Sequence, residues 1–284
     1  WLGMFALLEY KGPWYNCFFN VSLVNQSYNR VDYFRAKVLN EETQELEYAS
    51  SGWKHIPGYT VKGGGNVNLN EWTDMFMNLG YLNRTPVFSN VITFDNEFVE
   101  NTYNEIITSM EFGVKWSKYP LTVNLNGYYT DWQNRPLQSL LRFETVEGDL
   151  VRANINSMSA LHKGVELDFG YQINRNLTIE GYASYGDWRW TSSEDSLVLL
   201  DDVTSLSYVG DDGLPIVIKY NAEGVSVGDA PQTQLGIALR YRKNGFYVKP
   251  RYTFFDRFFA DFDPFSLNGE NEGRQSWELP AYGL

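Results

Sequence analysis

The stretch from His162 to Trp190, HKGVELDFGYQINRNLTIEGYASYGDWRW, decides the fold. Val165, Leu167, Phe169 and Tyr171 alternate with Glu166, Asp168, Gly170 and Gln172; the chain then turns at Asn174-Arg175-Asn176 and a second strand follows. A side-chain period of two belongs to β-strands. Carboxylates at every other position are tolerated only where one face meets lipid or a core and the other meets water.

Strand signals of the same kind fall at about Gly3 to Tyr10, Trp14 to Asn25, Tyr59 to Leu69, Trp72 to Leu82 and Asn104 to Trp116. They continue at Leu121 to Asp131, Ala153 to Ile173, Leu177 to Trp190, Gln232 to Arg242 and Phe246 to Phe258. Most are near the roughly 9 to 11 residues that a tilted strand needs to cross a bilayer. Short connections (Lys11-Gly12-Pro13, Asn70-Glu71, Ser117 to Pro120, Asn174 to Asn176, Lys243-Asn244-Gly245) alternate with long ones (Gln26 to Gly58, Asn83 to Tyr103, Trp132 to Arg152, Thr191 to Pro231, Phe259 to Trp277). Every tight turn therefore falls at one end of the sheet, as periplasmic turns do opposite extracellular loops.

The period of two also assigns faces. Leu121, Val123, Leu125 and Tyr129 oppose Thr122, Asn124, Asn126, Tyr128 and Thr130; Leu235, Ile237, Leu239 and Tyr241 oppose Gln234, Arg240 and Arg242. Phe246, Val248, Pro250, Tyr252 and Phe254 oppose Lys249, Arg251 and Thr253, while Met110, Phe112, Val114 and Trp116 oppose Ser109, Glu111 and Lys115. A charge turned to lipid costs roughly 2 to 4 kcal/mol at mid-bilayer, which accounts for its absence from one face. Aromatics gather at the strand ends, with Trp14, Tyr15, Trp116, Tyr119 and Tyr171 towards the short turns and Tyr129, Trp132, Trp188, Trp190 and Phe254 towards the loops. Two such belts flank an apolar band. The alternative for this pattern is a soluble β-sandwich, whose apolar face packs on a second sheet and whose aromatics bind carbohydrate.

Composition narrows the function. Aromatics make up 17% of the 284 residues, yet mean hydropathy is −0.37 and no apolar run reaches the roughly 18 residues of a spanning helix, so any membrane contact is through strands. With 23 basic against 35 acidic residues the net charge is −12, which argues against a nucleic-acid partner. Cys17 is the sole cysteine, which excludes an intrachain disulfide and a cysteine-rich zinc site; it reads as a small apolar surface residue. Trp1-Leu2-Gly3 is neither a start methionine nor a signal peptide, and Leu279-Pro280-Ala281-Tyr282 reads as the opening of another strand, so the chain is expected to be an interior fragment, one barrel domain truncated at both ends.

Several segments resemble the barrel of TonB-dependent outer-membrane receptors: Gly80-Tyr81-Leu82-Asn83-Arg84-Thr85-Pro86-Val87-Phe88, Asn126-Gly127-Tyr128-Tyr129-Thr130-Asp131-Trp132, His162 to Leu167, Gly228-Asp229-Ala230-Pro231-Gln232 and Leu279 to Tyr282. Their order and spacing from about residue 59 onward carry the resemblance. It implies an all-β, antiparallel transmembrane barrel of 22 strands, of which this chain would hold about ten, in the outer membrane of a Gram-negative bacterium. It further implies an N-terminal plug domain and the TonB complex as partners outside this chain, contact with outer-membrane lipid, and import of a scarce ligand such as an iron chelate, cobalamin or a glycan. A surface lipoprotein capping the barrel is a further partner left open. So is a second reading of the barrel itself, as a non-transporting surface protein that displays loops for adhesion.

Nothing in the chain reads as catalytic, and no cofactor is implied. His55 and His162 are the only histidines, and no nucleophile, acid and base share a recognisable spacing; His162 reads as a hydrogen-bonding residue near the rim. Gly63-Gly64-Gly65 lacks the GK[ST] of a phosphate loop and reads as a site of close packing. From Thr191 to Pro231 eight acidic residues face Lys219 alone, seven net negative charges, which reads as a solvated loop; the weak metal candidates are Asp211 and Asp212, as an oxygen-only Ca²⁺ site. Trp188, Arg189, Trp190, Phe258, Phe259 and Phe262 are candidate stacking faces for a sugar ring or an aromatic chelate. On the polar face, Glu166 and Asp168, with the positive strip Arg240, Arg242, Lys249 and Arg251, are expected to face a lumen and its plug.

Overall fold

The computed structural model describes residues 1–34, 37–39, 45–92, 96, 98–99, 102–144, 150–198, 217–261 and 278–283. Their strands are β1 (Leu2–Lys11), β2 (Tyr15–Tyr28), β3 (Val38–Leu39), β4 (Leu46–Glu47), β5 (Lys54–Asn70), β6 (Thr73–Arg84), β7 (Glu105–Lys118), β8 (Leu121–Glu144), β9 (Leu150–Asn174), β10 (Leu177–Trp190), β11 (Ser193–Val198), β12 (Val217–Asn221), β13 (Pro231–Lys243), β14 (Phe246–Val248), β15 (Arg251–Phe259), β16 (Glu278–Leu279) and β17 (Tyr282–Gly283). A 3₁₀ turn at Phe88–Asn90 is the only helical element among the described residues. Among the described residues no helix is long and apolar enough to cross a membrane.

One antiparallel sheet holds thirteen of these strands in the order β1-β2-β5-β6-β7-β8-β9-β10-β13-β15-β16, with β14 beside β13 and β17 beside β15. The hairpins β3–β4 and β11–β12 stand apart from it, within the long connections. Wall strands that follow one another in the chain are also neighbours in space, so the short and long connections do alternate between the two ends of the strands. The turn from β13 to β14 shows how sequence sets this. Asn244 and Gly245 have φ of 47° and 83° and Lys243 pairs with Phe246, which is the two-residue turn, both φ positive, that a right-twisted hairpin favours.

Register carries the two-faced pattern across the whole sheet. One row runs Trp116, Val123, Phe169, Gly181, Ile237, Tyr252 in direct pairing. On the opposite face a row runs Asn66, Phe76, Gly113, Asn126, Glu166, Ser184, Gln234. A slip of one residue in any strand would exchange its faces, so the apolar face is what fixes the register. No second sheet covers that face among the described residues: Leu79 is 52% exposed, Leu125 51% and Ile237 52%. The sandwich alternative, which needs such a cover, is therefore not the architecture.

Glycine opposite an aromatic ring recurs in the wall. Phe18 pairs with Gly64, Phe76 with Gly113, Tyr128 with Gly164, Phe169 with Gly181 and Tyr182 with Gly236. In the last pair the Tyr182 ring lies where a Cβ of residue 236 would be. The ring covers the bare backbone, and the pair keeps the strands close where a side chain would hold them apart.

Three elements differ from the sequence expectation. The expected loop from Trp132 to Arg152 is strand almost throughout, because β8 and β9 continue to Glu144 and from Leu150 as a hairpin beyond the wall. Its irregular register, shifting between Trp132 and Arg135, again to Leu137 and again to Arg142, with Asn134 at φ 56°, breaks the period-two signal. The expected strand from Phe246 to Phe258 is divided into β14 and β15 at Lys249-Pro250, where proline has no N–H to give the ladder; its carbonyl still accepts from Leu239 N at 3.1 Å. The segment from Thr191 to Pro231, read as one loop, contains β11 and β12.

Replacing Gly236 by valine is expected to drive the Tyr182 ring out of place and destabilise the folded wall by about 1 to 3 kcal/mol, whereas Gly170→Val, with nothing within 4 Å of its Cβ, is expected to be neutral. The temperature at which the folded protein loses its fast mobility on unboiled gels checks both.

Candidate functional site

A buried core lies at the loop end, beside the top of β10. Past Tyr185, β10 has no partner in β13, and residues 222–227 take that place: Trp190 N donates to Val225 O at 2.8 Å, Val227 N to Trp188 O at 2.9 Å and Gly224 N to Trp190 O at 2.9 Å. Met158, Ala160, Trp190, Ala222 and Val225 are at most 2% exposed and form a small core there. Gln232, 2% exposed, fastens it to the wall: its Oε1 accepts from Trp188 N at 3.1 Å while its Nε2 donates to Trp188 O at 3.0 Å and Val227 O at 3.2 Å. A buried amide has four hydrogen-bonding positions, and three are met by the two chains it joins.

This core decides the fate of the proposed stacking residues. Trp188 and Trp190 are on the polar face and Arg189, between them, is on the apolar one, so the three do not converge. Trp190 is covered, with the Arg135 guanidinium 5.3 Å from its ring centroid, and serves the rim core. Trp188 donates from Nε1 to the Tyr128 hydroxyl at 2.8 Å and tilts against His162 at 5.8 Å. Trp132 likewise turns to the polar face, donating from Nε1 to Glu105 Oε2 at 2.9 Å, so these three tryptophans are not girdle anchors; Tyr129 remains on the apolar side. Phe258 and Phe259 are half-buried and pair with Leu279 and Glu278. Phe262, Asp211 and Asp212 lie outside the described residues.

The polar face collects the other candidates. Glu166 and Asp168 share it with Asn124, Asn126, Lys115 and Asp74, and several of these line a groove of about 300 Å³ with Phe76. Arg240, Arg242, Lys249 and Arg251 cluster towards the short turns. Glu180, which the sequence reading did not single out, is the hub: it accepts from Arg240 Nε at 2.9 Å and Lys249 Nζ at 2.5 Å. Two of the four strip cations are thus already paired within the wall. Arg251 stacks 5.5 Å from the Tyr182 ring centroid, and Arg242 and Arg175 border a groove of about 510 Å³ with Glu180. The missed signal was spacing: Glu180 has the polar-face parity of Thr178 and Tyr182, and only cross-strand pairing puts it opposite the basic strand. His55 Nδ1 lies 2.8 Å from the Ser27 hydroxyl, and Cys17 is exposed on the apolar face beside Gly65. Among the described residues no three His, Cys, Asp or Glu side chains are grouped to hold a metal ion.

Such a wall, wet on one side and apolar on the other, has solved counterparts. The chain superposes over 99% of its length on the copper transporter OprC, with a TM-score of 0.64 at 15% identity. The fold is that of an outer-membrane β-barrel. Similar matches over 99% of the chain are the siderophore receptor PiuA from Acinetobacter baumannii (TM-score 0.59, 13% identity) and the FrpB iron transporter, F3-3 variant, from Neisseria meningitidis (0.58, 12%). The chain spans 35 to 38% of the length of these proteins. No family model and no curated protein matches the sequence. The matched proteins are titled as transporters and receptors.

Gln232→Ala is expected to leave Trp188 N–H without its acceptor, at about 1 to 3 kcal/mol, and to raise hydrogen exchange at Val225 and Val227 roughly tenfold or more while exchange along β7 and β8 stays unchanged. Equal exchange in the two proteins would show that Gln232 does not fasten the rim.

Proposed function

We propose that this chain is part of the wall of an outer-membrane receptor that imports a scarce ligand, an iron chelate before cobalamin or a glycan, with energy from a TonB complex. The observation that carries the reading is the broad apolar face over ten wall strands, charged towards the loop end by Lys163, Asp187 and Arg189, set against a polar face that contains every charge of the Glu180 cluster. A membrane supplies the one solvent in which an apolar face of that extent is satisfied without a second sheet.

Matched proteins titled as copper, iron and siderophore transporters support a metal or its chelate as the ligand class. In this reading Arg242, Arg251 and the unpaired capacity of the basic strip meet carboxylates of a plug, and Glu166 and Asp168 meet its cations or the lumen water. Ligand capture falls to the long connections, with Trp188 and Phe259 at the loop end as contact residues. No bond is made or broken. Transport consists of a gated passage, in which the wall stays rigid and the plug moves.

Fractionated cells test this. The expected result is a polypeptide well over twice 32.8 kDa that contains this sequence, is extracted only by detergent and shifts in mobility on boiling. Deleting its gene is expected to abolish uptake of one radiolabelled iron chelate, and collapsing the proton gradient to do the same in the wild type. A soluble product without a heat shift contradicts the barrel. A heat-modifiable barrel whose loss changes no uptake contradicts transport and leaves display of loops as the function.

A further inference from the structure

Towards the loop end the apolar face carries a group of charges that surrounds a groove. Lys163, Asp187 and Arg189 belong to that face by register, since Tyr129 pairs with Lys163 and Lys163 with Asp187. Asp187 accepts from Arg189 Nε at 2.6 Å and lies 3.5 Å from Lys163 Nζ. Arg257 joins them by an unusual route. Its neighbours Asp256 and Phe258 pair on the apolar face with Thr233 and Pro231, so alternation would send Arg257 to the polar side; a φ of 51° returns it to the apolar side. There its guanidinium lies 4.0 Å from the Tyr185 ring centroid and donates to Thr233 Oγ1 at 2.8 Å and Gly186 O at 2.7 Å. Left-handed backbone at a non-glycine residue costs about 1 to 2 kcal/mol, so a local gain has to offset it.

These four residues rim a groove of about 620 Å³ whose floor is Met110, Phe112, Val165 and Tyr185, each 45 to 57% exposed. Three cations stand against one carboxylate. Asp131 and Asp256 are on the same face but do not line the groove, and Asp131 is engaged by Gln133 Nε2 at 2.7 Å. Depth is consistent with an interfacial position: Leu177 to Asp187 is roughly 33 Å of strand, about 23 Å of depth at a tilt near 45°, against an apolar band about 25 Å tall. The cations therefore stand where lipid headgroups begin, and the apolar floor extends beneath them along the acyl chains.

We infer that this groove is a binding site for a phosphate-bearing lipid of the outer leaflet, headgroup phosphate on Lys163, Arg189 and Arg257, acyl chain on Met110, Phe112 and Val165. Charge complementarity selects the occupant. Lys163 and Arg189, each about half exposed, share the single Asp187 carboxylate, so a neutral lipid would leave net positive charge facing low dielectric, whereas a phosphate takes charge-assisted hydrogen bonds from both. The inference rests on the proposal that the wall spans the outer membrane.

The test uses the full-length protein, purified in detergent and confirmed heat-modifiable, with native mass spectrometry as the readout. The probes are a hexa-acyl glucosamine disaccharide bisphosphate, the same lipid with its phosphates removed, and inorganic phosphate. One copy of the bisphosphate per barrel is expected to survive activation, retention is expected to fall at least tenfold for the dephosphorylated lipid and for Lys163→Gln with Arg189→Gln, and Lys163→Arg is expected to retain it. Equal retention of the two lipids, equal retention by the double variant, or displacement by inorganic phosphate alone would overturn the site. If the double variant loses its heat shift, the comparison of the two lipids on the wild type decides. A protein without a heat shift fails the membrane proposal first, and a heat-modifiable one without lipid selectivity fails this inference alone.

Discussion

The backbone ladder is the constraint on which the remainder depends. In hydrocarbon an unpaired N–H or C=O costs several kcal/mol, and strands can enter it only when each is paired on both sides. Pairing fixes register, register fixes which residues share a face, and faces determine everything else: the apolar rows meet one solvent, the asparagines and charges another. The aromatic rings over glycines serve the same ladder, since they cover backbone where no side chain could. Within these residues the ladder remains open, with β1 at one edge and β15 with its short partners at the other.

Two polar regions have different roles on this frame. The rim at the loop end is stapled by a buried amide and a tryptophan core, so that a long connection begins from a fixed base. Loops that recognise a ligand gain by such anchoring, because less order has to be created on binding. The cluster around Glu180 at the short-turn end is exposed and ionic. Pairs of this kind contribute roughly 0 to 1 kcal/mol each to stability, so their value lies in holding the cations in place more than in holding the fold.

Much of this was legible in the sequence, and the reason is period. Ten strands with one apolar face, the alternation of short and long connections and the facing of Arg240, Lys249 and Arg251 all follow from a repeat of two read over many residues. What failed needed contacts between distant residues. The hairpin beyond Trp132 escaped because bulges at Asn134 and after Arg135 break the repeat. Trp190 looked like a stacking face because its cover, Ala222 and Val225, is supplied by a segment some thirty residues on that has no strand pattern. Glu180 was invisible as a hub because its partners belong to β13 and the residues after β14. Arg257 contradicts its own parity through one backbone angle, which no side-chain pattern encodes.

The central claim is that one face of the wall meets hydrocarbon and the other meets water or protein. Spin labels placed singly along β8 from Leu121 to Tyr129, in a Cys17→Ser background of the full-length protein in liposomes, test it most directly. The account predicts that collision with oxygen is high and with a water-soluble nickel chelate low at 121, 123, 125 and 129, and that oxygen collision drops at 122, 124 and 126. Oxygen accessibility without that alternation, or chelate accessibility at residue 125, would contradict it.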